Sequence, residues 1–308
     1  MKILITGGSG TIGKAFIREF PEHEYYNVSR NEKFLTDLMR EHPKVENFIG
    51  NIEDEGFLVR VFKDVKPDVV IHAAAMKHVN IAEENPMQAC QSNVIGSMNV
   101  INASIIADVP ITIGISTDKA CSSESVYGNT KALMEKCFME ANTMRNRFAL
   151  TRFANVAHSN GSVLPFWLDC KKHNKPIKIT DPDMNRLIFS KSDAAKLIKH
   201  AMDKCEGGDG GFVCSYKMKS VNMMDVAKTI AYEGYISDIE VVGKRPGEKV
   251  NEDLISDKEI PFTYVHGDMI YIYNQENLDE NRLRQGYSSL SAEKMTIKEM
   301  KELIWATR

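Results

Sequence analysis

The sequence has no run of about 18 consecutive apolar residues, which excludes a membrane-spanning helix. It has no CxxC pair either. Six cysteines, Cys90, Cys121, Cys137, Cys170, Cys205 and Cys214, lie scattered, unlike a zinc site or a disulfide framework, and read as ordinary buried or half-buried thiols. Charge of one sign is not in excess: 39 basic residues face 42 acidic ones for a formal charge of −3, so no electrostatic footprint for a nucleic-acid backbone exists. No internal repeat, low-complexity linker or metal-ligand spacing occurs, and no metal is expected. What remains is a folded chain of 308 residues, 43% hydrophobic and 26% charged, long enough for one large domain or two unequal ones. Its opening apolar run is too short for a signal-peptide core and meets glycines where a cleavage region would be. It reads as a strand, and the protein as cytoplasmic, with neither a membrane nor a nucleic acid as partner.

Short apolar runs alternate with helical patterns through the first half, at residues 2–6, 25–29, 45–50, 68–74, 111–117 and 149–156. This is the arrangement of an α/β fold, a Rossmann doubly wound parallel sheet with helices on both faces. Apolar residues at three-to-four spacing predict long helices over 86–107 and 124–143, whose outer faces could build a homo-oligomer. Beyond about residue 157 loop-like segments at 180–183 and 207–211 separate shorter elements. The division expected is residues 1–157 as a dinucleotide-binding domain, with 158–308 mainly a smaller substrate-binding lobe from which a later strand may return to the first domain's sheet. The tail is expected to be one helix over 291–305.

Gly7-Gly8-Ser9-Gly10-Thr11-Ile12-Gly13 follows a strand and opens a helix, the context that makes a glycine pattern a dinucleotide site. Gly7 permits the tight turn, Gly10 lets the backbone approach a pyrophosphate and Gly13 lets helix and strand pack closely. The helix N-terminus supplies amides. The GxxGxxG spacing is similar to that of the short-chain dehydrogenases. About 20 residues on, where NAD-preferring enzymes place an acidic side chain on the ribose, stand Ser29-Arg30-Asn31, which suit a 2′-phosphate and favour NADP. Glu32 close by keeps NAD open.

Tyr127 and Lys131 form a YxxxK pair at a helix start, with phenol and ammonium on one face. Beside a nucleotide-binding loop the pair reads as catalytic, Lys131 lowering the phenol pKa and holding the nicotinamide ribose while Tyr127 shuttles a proton. Asp118-Lys119 stands just upstream at the carboxyl end of the fifth strand, where open α/β sheets place ligands. In a plainer reading Asp118 caps the next helix and Lys119 is solvated.

With these residues go His72-Ala73-Ala74-Ala75-Met76-Lys77-His78-Val79, Glu84-Asn85-Pro86, Asn93-Val94-Ile95-Gly96, Asn155-Val156, Gly161-Ser162-Val163, Thr180-Asp181-Pro182 and Arg245-Pro246-Gly247-Glu248-Lys249. In this order the chain resembles the inverting UDP-N-acetylglucosamine 4,6-dehydratases, extended short-chain dehydrogenases often labelled polysaccharide biosynthesis proteins. The resemblance implies a UDP-sugar substrate and a catalytic set of Asp118, Lys119, Tyr127 and Lys131. It implies cofactor contacts from Gly7, Ser9, Gly10, Thr11, Ile12, Gly13, Ser29, Arg30, Asn51, Ile52, Ala73, Ala74 and Lys77. Lys77, Asn155, Ser159, Arg186, Arg245 and Glu248 would bind substrate, with both arginines on phosphate; His72 and His78 read as structural.

Departures from the family pattern include Asn51 in place of an aspartate, the missing proline between Asp118-Lys119 and Tyr127, and Ala154 in place of a glycine. In the implied mechanism Tyr127 takes the C4 hydroxyl proton. Lys119, its pKa lowered by burial, takes the C5 proton, and Asp118 protonates the departing C6 hydroxyl. A 4-epimerase, which needs no acid/base pair for water loss, and an NADP-sensing regulatory protein are the alternatives.

Overall fold

The computed structural model describes every residue except 234–237, 246, 277–280 and 307–308. Its first strands are β1 (Lys2–Thr6), β2 (Glu24–Ser29), β3 (Glu46–Ile49), β4 (Val69–His72), β5 (Ile111–Thr117) and β6 (Arg147–Phe153). Next come β7 (Asn155–Val156), β8 (Ile177–Ile179), β9 (Asn185–Phe189), β10 (Phe212–Tyr216), β11 (Ser220–Asn222) and β12 (Ile239–Val241). The last are β13 (Asp253–Ile255), β14 (Thr263–His266), β15 (Met269–Ile272) and β16 (Tyr287–Ser288).

The main sheet has the order β14-β15-β10-β6-β5-β4-β1-β2-β3. It is parallel from β3 to β10, and β15 and β14 add an antiparallel edge. Its central strands are apolar on both sides. Ile3, Ile5, Val69 and Ile71 enter one core, while Leu4 and Val70 enter another with Leu58, Phe62 and Val100, the two-faced burial that parallel sheets need. Strand order reverses between β1 and β4, the position at which doubly wound sheets open a crevice. The fold class expected from the sequence is therefore the one observed, with β10, β14 and β15 added to the sheet from the second half of the chain.

At Ala154 the chain leaves the sheet. The strand expected over 149–156 breaks there, and Asn155–Val156 pairs instead with β9 in a small sheet ordered β11-β9-β7. Around that sheet a smaller lobe packs Trp167, Ile177, Met184, Ile188, Val221 and Ile230. The expected helix over 86–107 is continuous but not uniform, because residues 91–95 form a widened π turn between Pro86–Cys90 and Gly96–Ile106. Such turns present side chains an ordinary helix would misplace. Here Asn93 accepts from Met76 N (2.8 Å) and donates to Met76 O (3.0 Å) and Thr130 Oγ1 (3.0 Å). The tail helix begins at Ile297, not at 291. Thr296 and Glu299 form a reciprocal capping box there, whereas Lys294 donates to Asn185, Ser220 and Ser289, so the box sets the start.

One buried ion cluster ties the parts together. Arg152 on β6, 1% exposed, donates to Glu135 Oε1 (3.0 Å) and Oε2 (2.7 Å) on the helix Val126–Ala141, and to Glu259 Oε1 (2.8 Å) and Leu254 O (2.8 Å). Burial, the largest influence, raises Glu259, but Arg152 and hydrogen bonds outweigh it and bring the carboxyl down to about 2. Removing one member of such a cluster strands the others. Arg152→Met is expected to cost about 3–5 kcal/mol in denaturant unfolding, and Arg152→Met/Glu135→Leu/Glu259→Leu to regain most of it. A triple variant as unstable as the single one would contradict this.

Candidate active site

The glycine loop bends at Gly7, whose φ of +76° suits glycine. A Cβ there would lie 2.8 Å from Ala74 N, so the loop is pressed against the end of β4. A Cβ on Gly13 would lie 2.4 Å from Gly8 Cα, and Gly13 therefore packs beneath the loop and does not line the crevice. The helix Thr11–Glu19 begins at Gly10 with no side-chain cap and no acid in its first turn, leaving amides for an anion. This cradle fits a dinucleotide pyrophosphate. Ser9 Oγ meets Ser29 Oγ at 2.7 Å, which fastens the loop to the end of β2. Arg30 is 61% exposed at the rim, 3.9 Å from Glu53.

Gly7, Ser9, Gly10, Ser29 and Arg30 line a cavity of about 730 Å³ together with Thr11, Ile12, Asn51, Ile52, Ala73, Ala74, Lys77, Lys119, Tyr127, Lys131, Asn155 and Ser159. Asn160 crosses it, taking the Lys77 ammonium on its carbonyl (2.5 Å) while its own N–H donates to Thr11 Oγ1 (3.0 Å). His72 is enclosed by Thr6 Oγ1 (2.7 Å) and Ser97 Oγ (2.9 Å). Burial first, then the charge of Lys131, takes it down to about 3, so it is a neutral structural residue.

Ser125, whose hydroxyl accepts from Gly128 N at 3.1 Å, caps the helix Val126–Ala141, so Asp118 is free of that task. Burial pushes the Tyr127 phenol up to about 12. The charge of Lys119 and a side-chain contact with Thr117 pull against it, and Asp118 adds to the rise. Lys119, where Lys131 was expected, is thus the cation that eases the phenol. Lys131 is 3% exposed. Burial, partly countered by Glu135, brings it down to about 8.

Two further expectations need correction. Asp118 is not on the cavity wall: it is 1% exposed, and its Oδ1 accepts from Thr117 (2.9 Å) and Lys119 (3.1 Å). Lys119, 24% exposed at its side chain, is the member of the pair that reaches the cavity. Its pKa is raised, not lowered. Burial alone would depress it, but the carboxylates of Asp118 and Glu252 outweigh that effect.

A second cavity of about 340 Å³ adjoins the first through Asn155, Val156 and Ser162 and is lined by Trp167, Met184, Arg186, Arg245 and Glu248. Arg186 is 7% exposed, with donors on Asn185 O, Val250 O and Lys249 O at 2.8–3.0 Å. It serves the backbone more than a ligand. Arg245 is exposed on this cavity's wall. The sequence reasoning missed Glu252, 5% exposed, whose Oε1 lies 3.4 Å from Lys119 Nζ. It follows the Arg245–Lys249 motif but belongs to no pattern. Thr117, directly before Asp118-Lys119, is a second residue that no pattern marked.

Lys131 has a stability consequence. With its ordinary value at 10.5 and the folded one at about 8, the folded state carries a penalty that is full below pH 8 and fades as pH rises towards 10.5. Lys131→Met is expected to stabilise the ligand-free protein at pH 7 by on the order of a few kcal/mol. Thermal melts at pH 7 and pH 10 check it; a gain that does not shrink at the higher pH would contradict it.

Residues 3–274 match the family described as polysaccharide biosynthesis protein. The chain is 37% identical to the UDP-N-acetylglucosamine 4,6-dehydratase (inverting) of Campylobacter jejuni, over 85% of this chain and 79% of that protein. It is 32% identical to the UDP-glucose 4-epimerase of Rickettsia bellii, over 98% of this chain and 94% of that one. Among solved structures, Pen from Bacillus thuringiensis matches with a TM-score of 0.91 at 29% identity, covering 100% of this chain and 98% of that one. Since the match runs from Ile3 to Asn274, through every element that lines the two cavities, the chain belongs to the polysaccharide biosynthesis protein family.

Proposed function

We propose that the protein is an NADP-dependent nucleotide-sugar 4,6-dehydratase acting on UDP-N-acetylglucosamine, and that residues 1–157 bind the cofactor while 158–308 mainly bind the nucleotide sugar. One observation carries this reading: Tyr127 and Lys119 open onto the same cavity as the glycine loop, with Asp118 3.1 Å behind Lys119. The dinucleotide would lie along Gly7, Gly10, Ala73 and Ala74 with Lys131 towards its nicotinamide ribose. Ser29 and Arg30 would take the 2′-phosphate. When bound, the nicotinamide supplies a hydride acceptor for C4 and a hydride donor for C6.

The chain's own groups handle the protons. Tyr127 takes the proton of the C4 hydroxyl, helped by the nearby Lys119 charge. The resulting ketone acidifies C5. Lys119 acts as base for C5 in its amine form, and taking the C5 proton returns it to the ammonium that Asp118 and Glu252 favour. Recharged by the C5 proton, Lys119 protonates the departing C6 hydroxyl, and water leaves. The proton that Tyr127 took from the C4 hydroxyl is the one that passes on to C5, which closes the balance, with inversion as in the relative's name. The apolar second cavity suits the base of the nucleotide, and Arg245 at its wall suits the diphosphate.

A 4-epimerase is favoured by the Rickettsia relative, but epimerisation has no use for Asp118 and Lys119. Met87, Ile95, Met98, Ile105, Ile106 and Leu133 are exposed on the long helices, which supports a homo-oligomer. No helix among the described residues is long and apolar enough to cross a membrane, in keeping with a cytoplasmic enzyme. Incubation with UDP-N-acetylglucosamine and NADP+ in deuterated water is expected to give a product lighter by one water and labelled at C5, by mass spectrometry. An isomer of unchanged mass would establish the epimerase instead. Lys119→Ala is expected to lower dehydration at least about 100-fold.

A further inference from the structure

We propose that Glu252 is a positioning residue of this reaction: supplied from the far end of the chain, its carboxylate holds the Lys119 ammonium beside Asp118 and decides the protonation state in which Lys119 meets the sugar. The inference rests on the dehydratase reading and concerns a residue outside every motif that led to it.

The geometry comes first. Lys119 Nζ lies between Asp118 Oδ1 at 3.1 Å and Glu252 Oε1 at 3.4 Å. Both carboxylates are buried while the lysine keeps contact with the cavity. Glu252 is held rigidly. Its N–H donates to Ser289 Oγ (2.9 Å) and its carbonyl accepts from Ser289 N (2.9 Å). The preceding segment is fixed by Arg186 on the carbonyls of Lys249 and Val250. Lys249 in turn reaches Ser122 O (2.6 Å) and Glu124 (3.3 Å) in the loop that carries Lys119. The stretch 249–252 therefore clamps the catalytic loop from outside.

The charged and titratable groups facing Lys119 are Asp118, Glu252, Arg186 and Tyr127. Two anions flank it, and a further cation, Arg186, has its guanidinium 3.9 Å from Glu252. Burial raises Glu252 itself, so the carboxylate is costly to keep there for packing alone.

The test compares wild type with Glu252→Gln, which keeps the shape and removes the charge. Two readouts are used: the pH dependence of dehydration, and an NMR titration of Lys119 Nζ in lysine-labelled protein, assigned through Lys119→Arg. In Glu252→Gln the Lys119 titration is expected to move down by about one pH unit or more, and the limb of the rate profile that follows Lys119 to move with it. Glu252→Asp, still charged but one methylene shorter, should move both to a lesser extent. A fall in kcat with an unmoved Lys119 titration overturns the proposal, since a structural role predicts that pattern. Should Glu252→Gln not fold, Glu252→Asp decides alone, with an unmoved titration again overturning it. The NMR readout needs no turnover, so failure of wild type to make the product counts against the reaction and not against this role.

Discussion

A lysine ammonium held between two buried carboxylates is the constraint around which this protein is arranged. Lys119 stands at the carboxyl end of β5, with Asp118 beneath it and Glu252 across from it. Lys119 is paired on two sides, and the second partner comes from a distant stretch of the chain. The later part of the chain is tied back to the first. It returns β10 to the main sheet and brings the segment before β13 over the catalytic loop.

The same site is poor in stabilising contacts. Lys131 is buried with Met134 Sδ, at 2.9 Å, as its recorded hydrogen-bond partner, and Asp118 Oδ2 has none among the described residues. Such groups oppose folding and are kept where chemistry needs perturbed pKa values. The two hydrophobic faces of the sheet offset the cost, and so does Arg152, which binds the helix carrying Tyr127 and Lys131 to the segment carrying Glu259. The charge that supports Tyr127 comes from the loop before its helix, which makes the proton shuttle sensitive to whatever fixes Lys119.

Much of this was legible in the sequence because the signals are local. Runs such as Lys2-Ile-Leu-Ile-Thr and Val69-Val-Ile-His give buried parallel strands, and a glycine loop between a strand and a helix gives the cradle. The first strands and the lining of the larger cavity follow from such cues. What sequence reasoning could not reach is set by distant partners. Asp118 reads as the acid that protonates the departing hydroxyl until its burial behind Lys119 is seen. Lys119 reads as a lysine depressed by burial until Glu252 appears. Arg186 reads as a phosphate ligand until its guanidinium is found on three carbonyls. The π turn at 91–95 and the tail helix start at Ile297 were missed for a milder reason. Periodicity locates a helix but does not register a widened turn, and the Thr296/Glu299 box starts the tail helix later than the expected 291.

The most direct measurement of the central claim is a crystal structure with NADP+ and UDP-N-acetylglucosamine bound. The account predicts the C4 hydroxyl within hydrogen-bond reach of Tyr127 Oη, Lys119 Nζ facing C5 and C6, and Glu252 still against Lys119. A sugar ring seated away from Lys119, or an Asp118 carboxylate swung into the cavity in its place, would contradict it.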